Sequence, residues 1–208
     1  MTAQHGLNLR QELGNIDIYL IDQILKGRFD AHQTILDAGC GSGRNLQYFL
    51  KNGFTVFAVD TELDALENVR YMAADLAPHL PLSNFCLSTI EKMPFEDQKF
   101  DAVICSAVLH FATDEKHFDA MMQSIWRTLK VGGLFFARLA STIGIENRLQ
   151  NSGIGRHLLP DGSTRFLVDE ATLLRYNAEL GAIPLDPLKT TNVQNMRCMT
   201  TWCLQKSA

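Results

Sequence analysis

A cluster of three glycines between a strand-like run and a helical run constrains this chain more than any other feature. Thr34–Ala38 reads TILDA, a short apolar run that ends at Gly39-Cys40-Gly41-Ser42-Gly43. Residues 44–51 then place Leu46, Phe49 and Leu50 at helical spacing before Gly53. Residues 54–59 (FTVFAV) are rich in β-branched and aromatic side chains and stop at Asp60. Strand, glycine turn, helix and strand make a βαβ unit, with parallel strands and a right-handed crossover.

The alternation continues along the chain. A helix is predicted over 63–74, a strand over 84–89, a strand over Phe100–Ser106, and a helix over 117–129 stopped by Lys130-Val131-Gly132-Gly133. A strand over 134–139 follows, then a helix over 169–180 with an acidic first turn and Gly181 just past its end. Residues 183–191 and 198–205 read as a closing pair of strands, and 16–25 as an N-terminal helix with Lys26-Gly27 as its stop. Strands that alternate with helices and are almost continuously apolar imply an α/β fold, a doubly wound, mostly parallel sheet with a closing antiparallel strand. With 208 residues the chain reads as one domain, in which 1–30 form a helical cap. Residues 140–168, rich in Gly, Ser and Arg and weakly periodic, break the rhythm. They are expected to form a long substrate-side insertion at the edge where open α/β sheets bind ligands.

Composition narrows the function classes. Hydrophobic residues are 46% and charged residues 20%, which excludes a disordered chain, a collagen-like fibre and a disulfide-stapled scaffold. Nineteen basic residues against 23 acidic ones leave a net charge of −4, so nucleic acid is not the expected partner. The start shows no secretory pattern, and the longest apolar runs, 102–109 and 132–137, fall short of the ~20 residues a membrane helix needs. A cytoplasmic protein with no membrane partner is expected. The five cysteines form no CxxC pair and read as buried reduced thiols, with no metal site.

Gly39, Gly41 and Gly43 sit where the backbone turns sharply and can approach a ligand without Cβ interference. A helix starting near Arg44 would aim free N–H groups at the same point. The spacing is G-x-G-x-G; Arg44 stands where the nicotinamide fingerprint wants its third glycine, and no GK[ST] follows. Asp60, 21 residues after Gly39 at the end of the second strand, can accept from ribose hydroxyls. The plainer alternative is that Asp60 only caps the next helix. Glycine loop and acid together point to a nucleoside ligand.

The string ILDAGCGSGRN (35–45), with Asp60, IEKMPFEDQKFDAVICSAVLHF (90–111) and LKVGGLFF (129–136), resembles a class I S-adenosylmethionine-dependent methyltransferase of the small-molecule, type 11 kind. The GCGxGRN form is also similar to small tellurite- and thiopurine-type methyltransferases. The resemblance spans about residues 34–139. It implies S-adenosylmethionine as cofactor, with Asp37 and residues 39–43 around its methionine end, Asp60 on the ribose and Leu63 on the adenine face. Family members often carry Asp where Thr89 stands here; the adenine contact then falls to Thr89 or to the Ile90 backbone. The end of the fourth strand, Ser106 to Phe111, would face the methyl group.

The sulfonium of that cofactor is already a good leaving group, so orientation and exclusion of water are the main demands on the protein. No Ser-His-Asp spacing, GxSxG or HExxH is present. The Asn/Asp-Pro-Pro-aromatic motif of base N-methylation is missing as well, which favours a small-molecule acceptor. His110 is the candidate general base; the alternative is a buried neutral histidine satisfied by backbone. Asp17 and Tyr19 are placed to fold over the cofactor from the N-terminal helix, or to serve as ordinary packing. Arg138, Arg148, Arg156, His157 and Arg165 face only Glu146 and Asp161 in the long segment; Arg156 and Arg165 are the candidate clamp for an anionic acceptor, against solvated surface charge. Met196, Met199 and Trp202 read as core. The competing functions are a methyltransferase, a non-catalytic sensor or partner subunit that binds the same cofactor, and, disfavoured by the glycine spacing, a nicotinamide oxidoreductase.

Overall fold

The computed structural model describes residues 8–31, 33–149 and 153–208. Residues 1–7 of the expected cap and start, and 150–152 of the expected insertion, lie outside the described residues. Two short helices come first, α1 (Leu9–Leu13) and α2 (Ile18–Leu25). The βαβ unit follows as β1 (Thr34–Ala38), α3 (Gln47–Lys51) and β2 (Thr55–Asp60). Next come α4 (Leu63–Leu76), β3 (Phe85–Leu87), β4 (Phe100–Ser106), α5 (Glu115–Thr128) and β5 (Leu129–Ser141). The chain ends with β6 (Gly155–Leu158), β7 (Thr164–Leu167), α6 (Glu170–Glu179), β8 (Ala182–Pro184), β9 (Lys189–Val193) and β10 (Arg197–Lys206).

The main sheet has the order β3-β2-β1-β4-β5-β10-β8, with β9 also on β10. Every pair from β3 to β5 is parallel, and β10 runs antiparallel to β5, β8 and β9. The fold is therefore the expected mostly parallel, doubly wound α/β sheet with an antiparallel closing strand. Alternation along β1 shows why. Ile35 packs into one apolar cluster with Leu20 of α2, Phe49 of α3 and Leu66 of α4, while Leu36 packs into the other with Phe118 and Ile125 of α5 and Leu173 of α6. Helices cover both faces, so Ile35 through Ala38 are all buried. Among the described residues no helix is long and apolar enough to cross a membrane.

Four local expectations are corrected. The helix expected over 44–51 forms only at Gln47–Lys51; residues 44–46 are a turn, in which the Leu46 N–H donates to the Gly43 carbonyl three residues back. Helix α5 passes straight into β5: the expected stop at 130–133 is instead an irregularity within the strand, with Gly132 at φ +78° and a shift in register against β4. The predicted strand over 183–191 is split, since Pro184 and Pro187 have no N–H to give; β8 meets 204–206 of β10 and β9 meets 197–201. The stretch 140–168 is not a structureless loop. It carries the end of β5, a β6–β7 hairpin, and a bridge between Ser141 and Val168.

Candidate active site

β1 lies between β2 and β4, so the chain leaves β1 and β4 in opposite directions across the sheet. At such a switch point the loops diverge and leave a crevice at the carboxyl ends of the strands. A cleft of about 810 Å³ lies there, bordered by Gly39, Gly41 and Asp60 on one side and by His110, Arg165 and Arg197 on the other.

The three glycines answer three different demands. A Cβ on Gly39 would lie 2.5 Å from Cγ2 of Val108, and one on Gly43 2.9 Å from Cγ2 of Val69 in α4. A Cβ on Gly41 would meet nothing within 4 Å, because that position opens on the cleft. Val108 comes close to Gly39 because Ala107 takes a left-handed conformation (φ +65°) at the end of β4, with its N–H donated to the Arg138 carbonyl at 2.7 Å. The loop's N–H groups are spent internally: Gly39 and Cys40 donate to the Val59 carbonyl, Gly43 to the Cys40 carbonyl, and Gly41 to Oδ2 of Asp60 at 2.7 Å. With α3 only five residues long and starting at Gln47, no helix end supplies the anion site expected near Arg44.

Asp60 accepts a second hydrogen bond at Oδ1 from the Glu62 N–H, at 3.0 Å. Its carboxylate is thus fixed at the mouth of the cleft with lone pairs to spare. Beneath the loop, Asp37 is 1% exposed and neither carboxylate oxygen has a partner among the described residues. Burial pushes its carboxyl up to about 7, against the pull of Arg44. The Thr89 hydroxyl is also buried and unpartnered, next to Ser88 and Ile90, which border the cleft. An open glycine turn, a held carboxylate and two orphaned buried groups on the same side fit a nucleoside cofactor carrying hydroxyls and an ammonium group.

Asp17 is the hub that fixes the N-terminal helix to this site. Its carboxylate is buried and accepts at Oδ2 from Arg44 (3.1 Å), Arg138 (3.0 Å) and the Ser106 hydroxyl (3.2 Å), while its own N–H donates to Oδ1 of Asn45 (3.0 Å). Asp17 is thus a buried junction, with the glycine loop, β4 and β5 meeting on one carboxylate. Tyr19 does not border the cleft; its hydroxyl bonds Thr191, and its ring supports the Arg138 guanidinium at 4.9 Å.

On the far side, His110 is buried, and its Nδ1 accepts from the Ala140 N–H at 3.3 Å. Burial first, then Arg165 and Arg197, hold its pKa down to about 4. The ring is therefore neutral, and with Nδ1 accepting from the Ala140 N–H its proton sits on Nε2. Arg156 donates to the Ala112 carbonyl at 3.2 Å and does not reach the cleft, so its expected pairing with Arg165 is not formed. Arg197, which the sequence reading passed over, stands there instead.

Of the other expected cofactor residues, Ile90 and Ser106 border the cleft. Gly43 and Thr89 lie behind it, and Leu63 is half exposed at the start of α4 while Thr61 and Glu62 line the wall. Met199 faces the cleft, Met196 is exposed, and Trp202 is core with its indole N–H on Oδ1 of Asn177.

Fold and site together define a nucleoside-binding, Rossmann-like α/β protein. Residues 36–137 match the protein family described as "Methyltransferase domain". An uncharacterized methyltransferase of Synechocystis sp. is 29% identical over 103 residues, 50% of this chain and 45% of that protein. Malonyl-[acyl-carrier protein] O-methyltransferase of Salmonella typhimurium is 32% identical over 111 residues, 53% of this chain and 39% of that protein. The chain thus matches less than half the length of these curated relatives. Among solved structures, the 1,6-didemethyltoxoflavin-N1-methyltransferase of Burkholderia thailandensis, with S-adenosylhomocysteine bound, superposes with a TM-score of 0.70 at 16% identity, covering 97% of this chain and 82% of that one. The chain matches the methyltransferase domain family over residues 36–137, and its fold is that of S-adenosylmethionine-dependent methyltransferases.

Proposed function

We propose that this protein transfers a methyl group from S-adenosylmethionine to a small-molecule acceptor. The observation that carries the reading is the division of the cleft: Asp60 and Gly41 border one side, with the orphaned Asp37 buried in β1 just before the glycine turn, and a wall of donors and apolar side chains faces them. Asp60 would hold the ribose, and the Asp37 carboxylate would receive the ammonium of the methionine portion. Thr89 and the Ile90 backbone would meet the adenine. When bound, the cofactor supplies a methyl group already activated on a sulfonium. What remains for the protein is to hold an acceptor in line and keep water out, a contribution of about 7–11 kcal/mol in favourable cases. His110 serves as a donor that orients the acceptor. A small-molecule acceptor is supported by the size of the cleft and by the toxoflavin precursor for which the Burkholderia protein is named.

Calorimetry with S-adenosylhomocysteine tests the reading. The wild-type protein should bind it, and Asp60→Ala should weaken binding by about tenfold or more, since a charge-assisted hydrogen bond is worth roughly 1.5–3 kcal/mol. Failure of the wild type to bind overturns the proposal. Binding without formation of S-adenosylhomocysteine from S-adenosylmethionine across an acceptor panel would leave a cofactor-binding sensor or partner subunit.

A further inference from the structure

We infer that the acceptor is an organic acid whose carboxylate is bound by Arg165 and Arg197; the inference rests on the methyltransferase reading of the cleft. Four arginines border the cleft, and they are not equivalent. Arg44 and Arg138 are both spent on the buried Asp17. Arg165 has no carboxylate partner among the described residues; it donates to the Thr164 carbonyl and lies 5.0 Å from the centre of the Phe111 ring. Arg197 pairs with Oδ2 of Asp161 at 3.5 Å, while the N–H and hydroxyl of Ser163 both take Oδ1. The two carboxylates that border the cleft, Asp60 and Glu62, stand at the end of β2, on the nucleoside side. On the acceptor wall Arg165 therefore lacks a carboxylate partner among the described residues, and Arg197 keeps one long ion pair, to Asp161.

The form of that wall narrows the anion. Two guanidinium groups offer planar, paired donors that match a carboxylate. Burial, and then the charges of Arg165 and Arg197, hold the ring of His110 neutral, and that ring also borders the cleft. Around them Phe111, Leu159, Val193 and Met199 supply an apolar lining suited to the body of the acid. A carboxylate is also ionised at neutral pH without help.

The test uses protein loaded with S-adenosylhomocysteine, titrated with benzoate and hexanoate and, in parallel, with benzamide and hexanamide. Each acid should bind about tenfold tighter than its amide, as expected for one charge-assisted contact in a partly desolvated site. The Arg165→Met/Arg197→Met double variant should level acid and amide while keeping its affinity for S-adenosylhomocysteine. Should the double variant melt early, Arg197→Met alone, at an exposed position, should reduce the same preference. Equal binding of acids and amides to a protein that binds S-adenosylhomocysteine overturns the inference and leaves the methyltransferase reading in place. Absence of S-adenosylhomocysteine binding overturns the reading beneath it.

Discussion

The two sides of the cleft are built in contrasting ways. The nucleoside side comes from one short stretch: β1, the glycine turn and the end of β2 bring Asp37, Gly39, Gly41 and Asp60 together within a single βαβ unit. Its backbone donors are internally satisfied and its carboxylate is fixed by two N–H groups. The acceptor side is gathered from the turn after β4, the β6–β7 hairpin, β9 and β10, and its guanidinium groups have few partners. The contrast teaches that a cofactor common to a family can be held by preformed local geometry. An acceptor particular to one protein is met by side chains carried on elements that can vary independently.

Substitutions in the glycine turn should break the comparison most forcefully. Gly39→Val places a side chain against Val108 at a left-handed position, and it should cost several kcal/mol of stability, read as a much lower Tm. Gly41→Val suffers only the backbone strain, about 1–3 kcal/mol, because its Cβ meets open space. It should stay folded and lose S-adenosylhomocysteine binding in calorimetry. If both variants melt alike, the turn is not divided between packing and binding as described.

An intermediate effect is expected from Asp37, whose carboxyl is pushed up to about 7 by burial, whereas an unfolded chain releases that proton near the ordinary 3.8. The folded state therefore holds more protons between these values, so this group's contribution to stability declines as pH rises through that window and is fully lost above about 7. Asp37→Asn should show a smaller fall in Tm than wild type between about pH 5 and pH 8. Wild-type affinity for S-adenosylhomocysteine should rise over the upper part of the same range, as the carboxylate forms to meet the ligand's ammonium. An identical pH profile in the variant would remove Asp37 from both roles.

The smallest effect should come from Arg156→Met. Its guanidinium bonds the Ala112 carbonyl away from the cleft, so the variant should lose no more than about 1 kcal/mol of stability and leave acid-over-amide discrimination unchanged. A lost preference would return Arg156 to the acceptor wall and sharpen the boundary of that side.

The parts legible in the sequence share one property: their determinants are neighbours along the chain. The strands Thr34–Ala38 and Phe100–Ser106 form with the predicted limits, because a short apolar run rich in β-branched and aromatic residues is a local signal. The glycine spacing and the position of Asp60 likewise belong to one βαβ unit, which fixes their meeting point. Local reading failed at element edges, as when a turn at 44–46 delayed α3 and the glycine turn at 130–133 was absorbed into β5.

The acceptor side was open only to tertiary structure. No periodicity marks Arg197 or Met199 as cleft residues, because β10 is placed by antiparallel pairing with β5, which aligns Met199 with Ala140 and so sets it beside the residue that bonds His110. Arg165 and Arg156 look interchangeable in sequence; the β6–β7 register sends one to the cleft and the other to the Ala112 carbonyl. Even the protonation of His110 is set by its surroundings, since burial and two arginines from elements far along the chain hold the ring neutral. Sequence determined the family, the sheet and the nucleoside side because those depend on short-range pattern. Tertiary structure decided which charges reach the acceptor, because pairing across distant strands positions each side chain and sets the dielectric around it.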